Sequence, residues 1–161
     1  MSVTGVNKDP DNLTLTPVAD FAAPVARLWR LWSDPRQLER WWGPPAYPAT
    51  VEEHGLMPGG DVTYYMTGPG DEKYRGRWRV ATVDPPASPE FTDGFADEQR
   101  VPDAAMPTTT SRVTLTARDG CTRMEMRSAF DSREQMERLM TLGMNEGLRE
   151  AVGQMDDLLA D

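Results

Sequence analysis

The stretch from Phe130 to Asp161 constrains the fold most, because its apolar and small residues recur with the period of a helix. We predict one long amphipathic helix of about six turns at ~3.6 residues per turn, capped by Asp131 or Ser132 with Glu134 in capping-box position. Such a helix needs a broad apolar surface to lie on. Its apolar stripe comprises Met136, Leu139, Met140, Gly143, Met144, Gly147, Leu148, Ala151, Val152, Met155, Leu158 and Leu159.

The N-terminal part of the chain predicts one strand and two short helices. Residues 1–10 are polar without periodicity, and we expect a flexible tail. Leu13–Phe21 alternates as a strand does, and Pro17 within it suggests a sheet edge or a bulge. Pro24 and Pro35 each suit the first turn of a short helix.

From residue 49 onward the hydrophobic pattern changes to period two, which predicts a sheet. Residues 96–107 carry prolines and acids without periodicity, and we expect a long loop of the kind that serves as a lid. The fold class is therefore α+β: a curved antiparallel sheet of about six to seven strands wrapped on a long C-terminal helix, within a single domain over 11–161. The later strands are predicted at Ala49–Glu53, Asp61–Thr67, Tyr74–Val83, Glu90–Phe95, Thr109–Ala117 and Thr122–Phe130.

Several segments resemble, in order, one known family. They are Phe21–Pro44, Pro58–Gly60, Gly76–Trp78, Asp84–Pro86, Phe91–Phe95, Met106–Thr116 and Gly143–Leu159. In these segments the chain resembles the START-related (SRPBCC) helix-grip superfamily, in the Aha1-like branch named for activators of the heat-shock chaperone ATPase. The resemblance implies a helix-grip fold. It leaves function open, because this superfamily includes ligand carriers, cyclases, sensors and chaperone regulators.

Charge and composition exclude several classes of partner. The chain has 161 residues and a net charge of −9, which argues against binding nucleic acid or an anionic membrane surface. A single cysteine, Cys121, suits a reducing compartment, and the sequence shows neither a membrane span nor a signal peptide. We expect a cytoplasmic protein with no cofactor and no metal. A homodimer stays open.

The aromatic and methionine residues predict a hydrophobic cavity between the sheet and the C-terminal helix. Apolar walls with few polar groups are typical of a site for a small hydrophobic ligand, and methionine adapts to varied shapes. For any single residue, a place in the ordinary core is the alternative. The candidate ligand-binding residues are Trp32, Trp41, Trp42, Tyr64, Met66, Trp78, Phe91, Phe95, Met124, Met126, Met140 and Met144.

Other chemically notable residues favour structural roles. His54 is the only histidine and has no nucleophile motif beside it, and the acids before it are too few for a metal site. A reactive thiolate at Cys121 is less favoured than an inert surface thiol. The alternating arginines of Tyr74–Val83 predict a solvated face that pairs with acids, and an acidic partner is the alternative.

Gly143 and Gly147 form a pair of small residues within the predicted helix. Such glycines let a strand, Trp78 or a ligand approach a helix closely, and packing is the default interpretation.

Three functions stay open at this stage. The first is binding of a small apolar or amphipathic molecule in the cavity, without chemistry. The second is regulation of a chaperone ATPase or another protein interaction, as the family name suggests. The third is a cyclase-like enzyme that uses polar cavity groups such as Tyr64 or His54, and the absence of a matched acid–base pair in the sequence disfavours it.

Overall fold

A computed structural model describes residues 3–84, 88–96 and 108–159 of the chain. The described strands form one antiparallel sheet of eight strands in the order β1-β2-β8-β7-β6-β5-β4-β3. The strands are β1 Val3–Asp9, β2 Thr14–Phe21, β3 Ala49–His54, β4 Asp61–Thr67, β5 Lys73–Asp84, β6 Ser88–Phe95, β7 Thr109–Arg118 and β8 Cys121–Phe130. The helices are α1 Val25–Ser33, α2 Pro35–Trp41, α3 Arg133–Thr141, α4 Met144–Gly153 and α5 Met155–Leu159.

The helices after β2 confirm the prediction from the two prolines. Pro24 is the N-cap of α1, and Pro35 is the first residue of α2. The Asp34 carboxylate caps α2 by accepting a hydrogen bond from the backbone N–H of Arg36 at 2.9 Å. This short pair of helices places the tryptophans of the segment against the sheet, where Trp32 and Trp41 are fully buried.

The N-terminal residues correct one prediction. Val3–Asp9 is not a loose tail but strand β1, which pairs antiparallel with β2. Pro17 consequently lies in an interior strand, and the ladder from β2 to β8 skips Thr16 and Pro17, consistent with the N–H that proline lacks. An edge strand is held by backbone pairing and can carry polar side chains, so the missing apolar pattern did not reveal it.

The C-terminal segment corrects a second prediction. The single long helix is divided into α3, α4 and α5, and the first break lies at Leu142 and Gly143. Gly143 has φ of +91°, the left-handed conformation that a residue without Cβ adopts readily. The predicted start is confirmed, since the Ser132 hydroxyl accepts a hydrogen bond from the backbone N–H of Gln135 at 3.1 Å.

The core under the helices is dominated by aromatic rings. Trp78 stacks on Phe91 with ring centroids 3.9 Å apart, and Trp32 meets Trp41 edge-on at 4.7 Å. Trp42 lies edge-on to Trp78 at 4.8 Å. Aromatic pairs in these geometries contribute about 0.5–1.5 kcal/mol beyond their buried area. The rings thus fix α1 and α2 against the middle of the sheet.

Side chains tie the C-terminal helices to the N-terminal pair. The Gln154 side-chain amide donates to the backbone oxygens of Trp41 at 3.2 Å and Gly43 at 2.6 Å. The Arg27 guanidinium donates to the backbone oxygen of Leu158 at 2.8 Å. These bonds join residues more than a hundred positions apart and hold α4 and α5 beside α1 and α2.

Two further expectations concern loops and membranes. Residues 97–107 of the predicted lid lie outside the described residues. The helices of the described chain are all too short or too polar to cross a membrane.

Candidate functional site

A cavity of about 320 Å³ lies between the sheet and the start of the C-terminal helices. Its floor is formed by strands β4 to β8, which contribute Tyr64, Met66, Gly76, Asp93, Phe95 and Met126. Its wall is formed by the segment from the end of α3 into α4, which contributes Leu139, Gly143, Met144, Gly147 and Leu148. Trp42, after α2, closes one side. The lining is mostly apolar, as a site for a small organic molecule requires.

The structure divides the predicted ligand-binding residues between the cavity and the core. The first group lines the cavity: Trp42, Tyr64, Met66, Phe95, Met126 and Met144. The second group belongs to the packed core behind it: Trp32, Trp41, Trp78, Phe91 and Met124. Met140 packs against a smaller cluster built around Phe130 and Met136. Whether any of them contacts a ligand stays a prediction.

A polar pair interrupts the apolar lining. The Tyr64 hydroxyl donates a hydrogen bond to Oδ1 of Asp93 at 2.8 Å. Burial raises the pKa of the Asp93 carboxyl to about 7, against the opposing effect of hydrogen bonds from Tyr64 and the Gly94 N–H. Burial, reinforced by the Asp93 charge, raises the pKa of Tyr64 well above its ordinary value. Tyr64 is therefore a neutral donor, whereas Asp93 changes charge near neutral pH.

Gly76 makes this pair geometrically feasible. Tyr64 is on β4 and Asp93 is on β6, so the tyrosine must reach across β5, where Gly76 is its direct neighbour. A Cβ atom at residue 76 would overlap the Tyr64 hydroxyl and ring. Glycine therefore permits the close approach that brings Tyr64 to Asp93.

Sequence reasoning missed Asp93, although a signal for it was present. Phe91, Asp93 and Phe95 alternate along β6 and so share one face of the strand. An acid between two phenylalanines on an inward face is shielded from water, and such groups are often functional. The alternation along β6 therefore marks Asp93 as an inward-facing polar residue.

Two tryptophan side chains border the same pair. Trp42 and Trp78 lie edge-on to Tyr64 with ring centroids 5.9 and 6.5 Å away, and their indole N–H groups partly offset the rise in the Tyr64 pKa. Neither N–H forms a hydrogen bond with a described residue, although both nitrogens are buried. The polar pair is thus enclosed by rings and has buried donors beside it.

Gly143 and Gly147 line the cavity rather than a packed interface. Positions for a Cβ at Gly143 and Gly147 have no described atom within 4 Å. The expectation that a strand or Trp78 packs closely against them is therefore wrong. Their missing side chains instead leave space on the cavity wall.

One end of the cavity opens to solvent. Tyr47 and Tyr74 line it and meet edge-on with ring centroids 5.9 Å apart, yet they are 37% and 51% exposed. Leu142, at the break before α4, is 61% exposed and also lines the cavity. Aromatic and apolar side chains at this opening give an apolar molecule a route from solvent.

The residues for which the sequence favours structural roles lie away from the cavity or form hydrogen bonds and ion pairs within the protein. His54 Nε2 is 3.0 Å from the backbone oxygen of Trp32 and joins β3 to α1. Cys121 is an exposed free thiol at the start of β8. The arginines of β5 pair with acids on β4 and β3, as in the 2.6 Å contact of Arg75 with Glu52 on β3. Of the two acids before His54, Glu52 is used in this ion pair, and Glu53 accepts from the Thr63 hydroxyl at 3.5 Å.

This fold and cavity define a helix-grip protein of the START-related kind. The chain belongs to the family described as "Activator of Hsp90 ATPase homolog 1-like protein", whose sequence model matches residues 22–160. The family resemblance seen in the sequence is thereby confirmed.

Solved structures share this fold. The crystal structure of protein Ms6760 from Mycobacterium smegmatis is 50% identical, with a TM-score of 0.90 over 98% of this chain and 96% of that chain. A solution structure of a protein from Arthrobacter aurescens is 47% identical, with a TM-score of 0.94 over 99% and 92% of the two chains. The AHSA1 protein from Silicibacter pomeroyi, at 22% identity and a TM-score of 0.72 over 91% and 97%, shares the fold. No curated protein matches the chain significantly.

Proposed function

We propose that this protein binds a small amphipathic molecule in the cavity between the sheet and the C-terminal helices. The observation that supports this most directly is the cavity of about 320 Å³, which has a mostly apolar lining that includes the hydrogen-bonded pair of Tyr64 and Asp93. Ligand sites of folded proteins combine these features, and this volume lies at the lower end of their usual range. The ligand's apolar part would replace water against side chains such as Met126 and Leu148.

The first test is native mass spectrometry of protein purified gently from its own host, followed by denaturing extraction. A molecule that copurifies in stoichiometric amount would identify the ligand class. In parallel, the neutral probe phenylhexanol should raise the melting temperature, because a ligand that binds only the folded state stabilises it. An unbound mass together with an unchanged melting temperature would contradict the proposal.

A matched pair of glycine substitutions localises the binding. Gly147 and Gly153 both lie in α4 with open space at Cβ, but only Gly147 lines the cavity. Gly147→Leu should fill part of the cavity and weaken phenylhexanol binding at least about tenfold while folding normally, since leucine favours a helix over glycine. Gly153→Leu should bind as the unchanged protein does. Equal binding by the two variants would place the ligand elsewhere.

The family description favours regulation of a chaperone ATPase as a second candidate. Its test is the ATPase rate of purified Hsp90 with and without this protein. A rate change that survives Gly147→Leu would indicate an interaction surface independent of the cavity.

A further inference from the structure

We propose that the ligand of this cavity carries a positively charged amine that pairs with the Asp93 carboxylate, with its apolar part among the aromatic and methionine side chains. This inference rests on the proposed function and specifies the chemistry of the ligand. Its starting point is the Tyr64–Asp93 pair, the part of the cavity that is least explained by apolar binding.

The hydrogen bonds to Asp93 leave part of its carboxylate available. Oδ1 accepts from the Tyr64 hydroxyl at 2.8 Å, and the Gly94 backbone N–H also acts on the carboxyl group. Both donors are neutral. A carboxylate offers about four acceptor positions, so a further donor can approach from the cavity.

The described protein supplies no cation to balance this charge. Arg75 is the cationic side chain among the described lining residues, and it pairs with Glu52 at 2.6 Å. Arg77, the next arginine of β5, pairs with Asp61 at 2.8 Å. Asp93 is half-buried at the cavity surface, and a carboxylate shielded from water without a cationic partner is unfavourable. This desolvation dominates the rise in the Asp93 pKa. A cationic ligand would remove that penalty.

The surroundings of Asp93 suit an ammonium group in particular. Trp42, Tyr64 and Phe95 line the cavity, and the exposed rings of Tyr47 and Tyr74 stand at its opening. The faces of aromatic rings attract ammonium groups, most strongly where water is excluded. Carboxylate and rings together favour an amine over an alcohol, which brings no charge, and over an acid, which Asp93 would repel.

The pH dependence of binding follows from the groups around the carboxyl. The titratable or charged side chains that face the same cavity are Tyr64 on β4, Tyr74 and Arg75 on β5, and Tyr47 after α2. The described lining residues of α3 and α4 do not ionise. Asp93 therefore controls amine binding near neutral pH, and affinity should rise about tenfold per pH unit below the Asp93 pKa and level off above it.

The experiment compares three probes that share one apolar body: phenylhexylamine, phenylhexanol and phenylhexanoate. Calorimetric titration of the full chain at about pH 8 should give an affinity for the amine at least tenfold above that for the alcohol, with the acid weakest. The Asp93→Asn variant should lose this preference, and its cooperative urea unfolding shows that it folds. Glu125→Gln removes the same charge from an exposed position on β8 and should keep the preference.

The other possible outcomes would each contradict the amine assignment. If the alcohol binds as tightly as the amine, or if Asp93→Asn keeps the preference, the amine assignment is wrong and the cavity remains a site for apolar molecules. If the acid binds best, the ligand is an anion and the assignment is likewise wrong. If none of the three probes binds, the proposed function fails together with this inference.

Discussion

Asp93 couples the protonation of one side chain to the stability of the whole fold. Its pKa is about 7 in the folded protein, against an ordinary value of 3.8, because burial disfavours the charged form. Between these two pH values the unfolded chain ionises while the folded chain stays protonated. Rising pH therefore stabilises the unfolded state relative to the folded state, and this contribution reaches its full size above about pH 7.

The Asp93→Asn variant should not lose stability in this way as pH rises. Its amide oxygen can still accept from the Tyr64 hydroxyl, so we expect equal stability of the two proteins near pH 4 and an advantage for the variant of about 1–3 kcal/mol near pH 8. Urea denaturation across this range measures the difference. Parallel pH profiles would show that Asp93 titrates normally.

At the residue scale, the sequence predicted part of the cavity. Trp42, Tyr64 and Met126 were identified because large apolar residues on inward faces are the usual lining of such sites. Trp41 and Trp78 belong to the same class of residue but are fully buried in the core. Depth within the fold separates the two groups, and periodicity gives only the face of a strand or helix, not the depth.

At the element scale, the break between α3 and α4 shapes the cavity wall. A continuous helix would have carried the side chain of Leu142 on a regular surface, whereas the left-handed Gly143 turns the chain and starts α4 anew. The sequence predicted the strands well because alternation survives in β7 and β8, where buried and exposed residues follow each other. It missed the break because Gly143 also fits the small positions of an apolar stripe.

Substitutions at Gly143 test the conformational origin of the break. Gly143→Ala should cost about 1 kcal/mol, because alanine is strained at a φ of +91° even though space for its Cβ is open. Gly143→Asn should cost less, since asparagine tolerates this conformation and can cap α4. Thermal unfolding gives the order. Alanine as stable as glycine would mean that α3 and α4 can join without penalty.

At the scale of the whole molecule, the last helices are secured to the first ones rather than to the sheet alone. Gln154 bridges α4 to the segment after α2 through the backbone oxygens of Trp41 and Gly43. The cavity lies beside this junction, so its wall depends on contacts between distant parts of the chain. The sequence could not show them, because a glutamine at a helix end carries no signal of its partner.

Removing the hydrogen bonds of Gln154 should destabilise the folded protein. We expect Gln154→Ala to lower the free energy of unfolding by about 1–2 kcal/mol, because two backbone oxygens lose a donor. Gln154→Glu should lower it further, since a carboxylate would face those oxygens. Urea titration ranks the three proteins, and a glutamate variant as stable as the unchanged chain would show that the bridge contributes nothing.

The tryptophan cluster also gives the molecule an optical reporter of its own. Trp32, Trp42 and Trp78 have ring centroids between 4.8 and 6.4 Å apart, close enough for excitation energy to pass among them. Of these three rings only Trp42 lines the cavity, so a ligand beside Trp42 would change the emission of the whole cluster. Fluorescence of the unlabelled protein should therefore follow occupancy of the cavity directly.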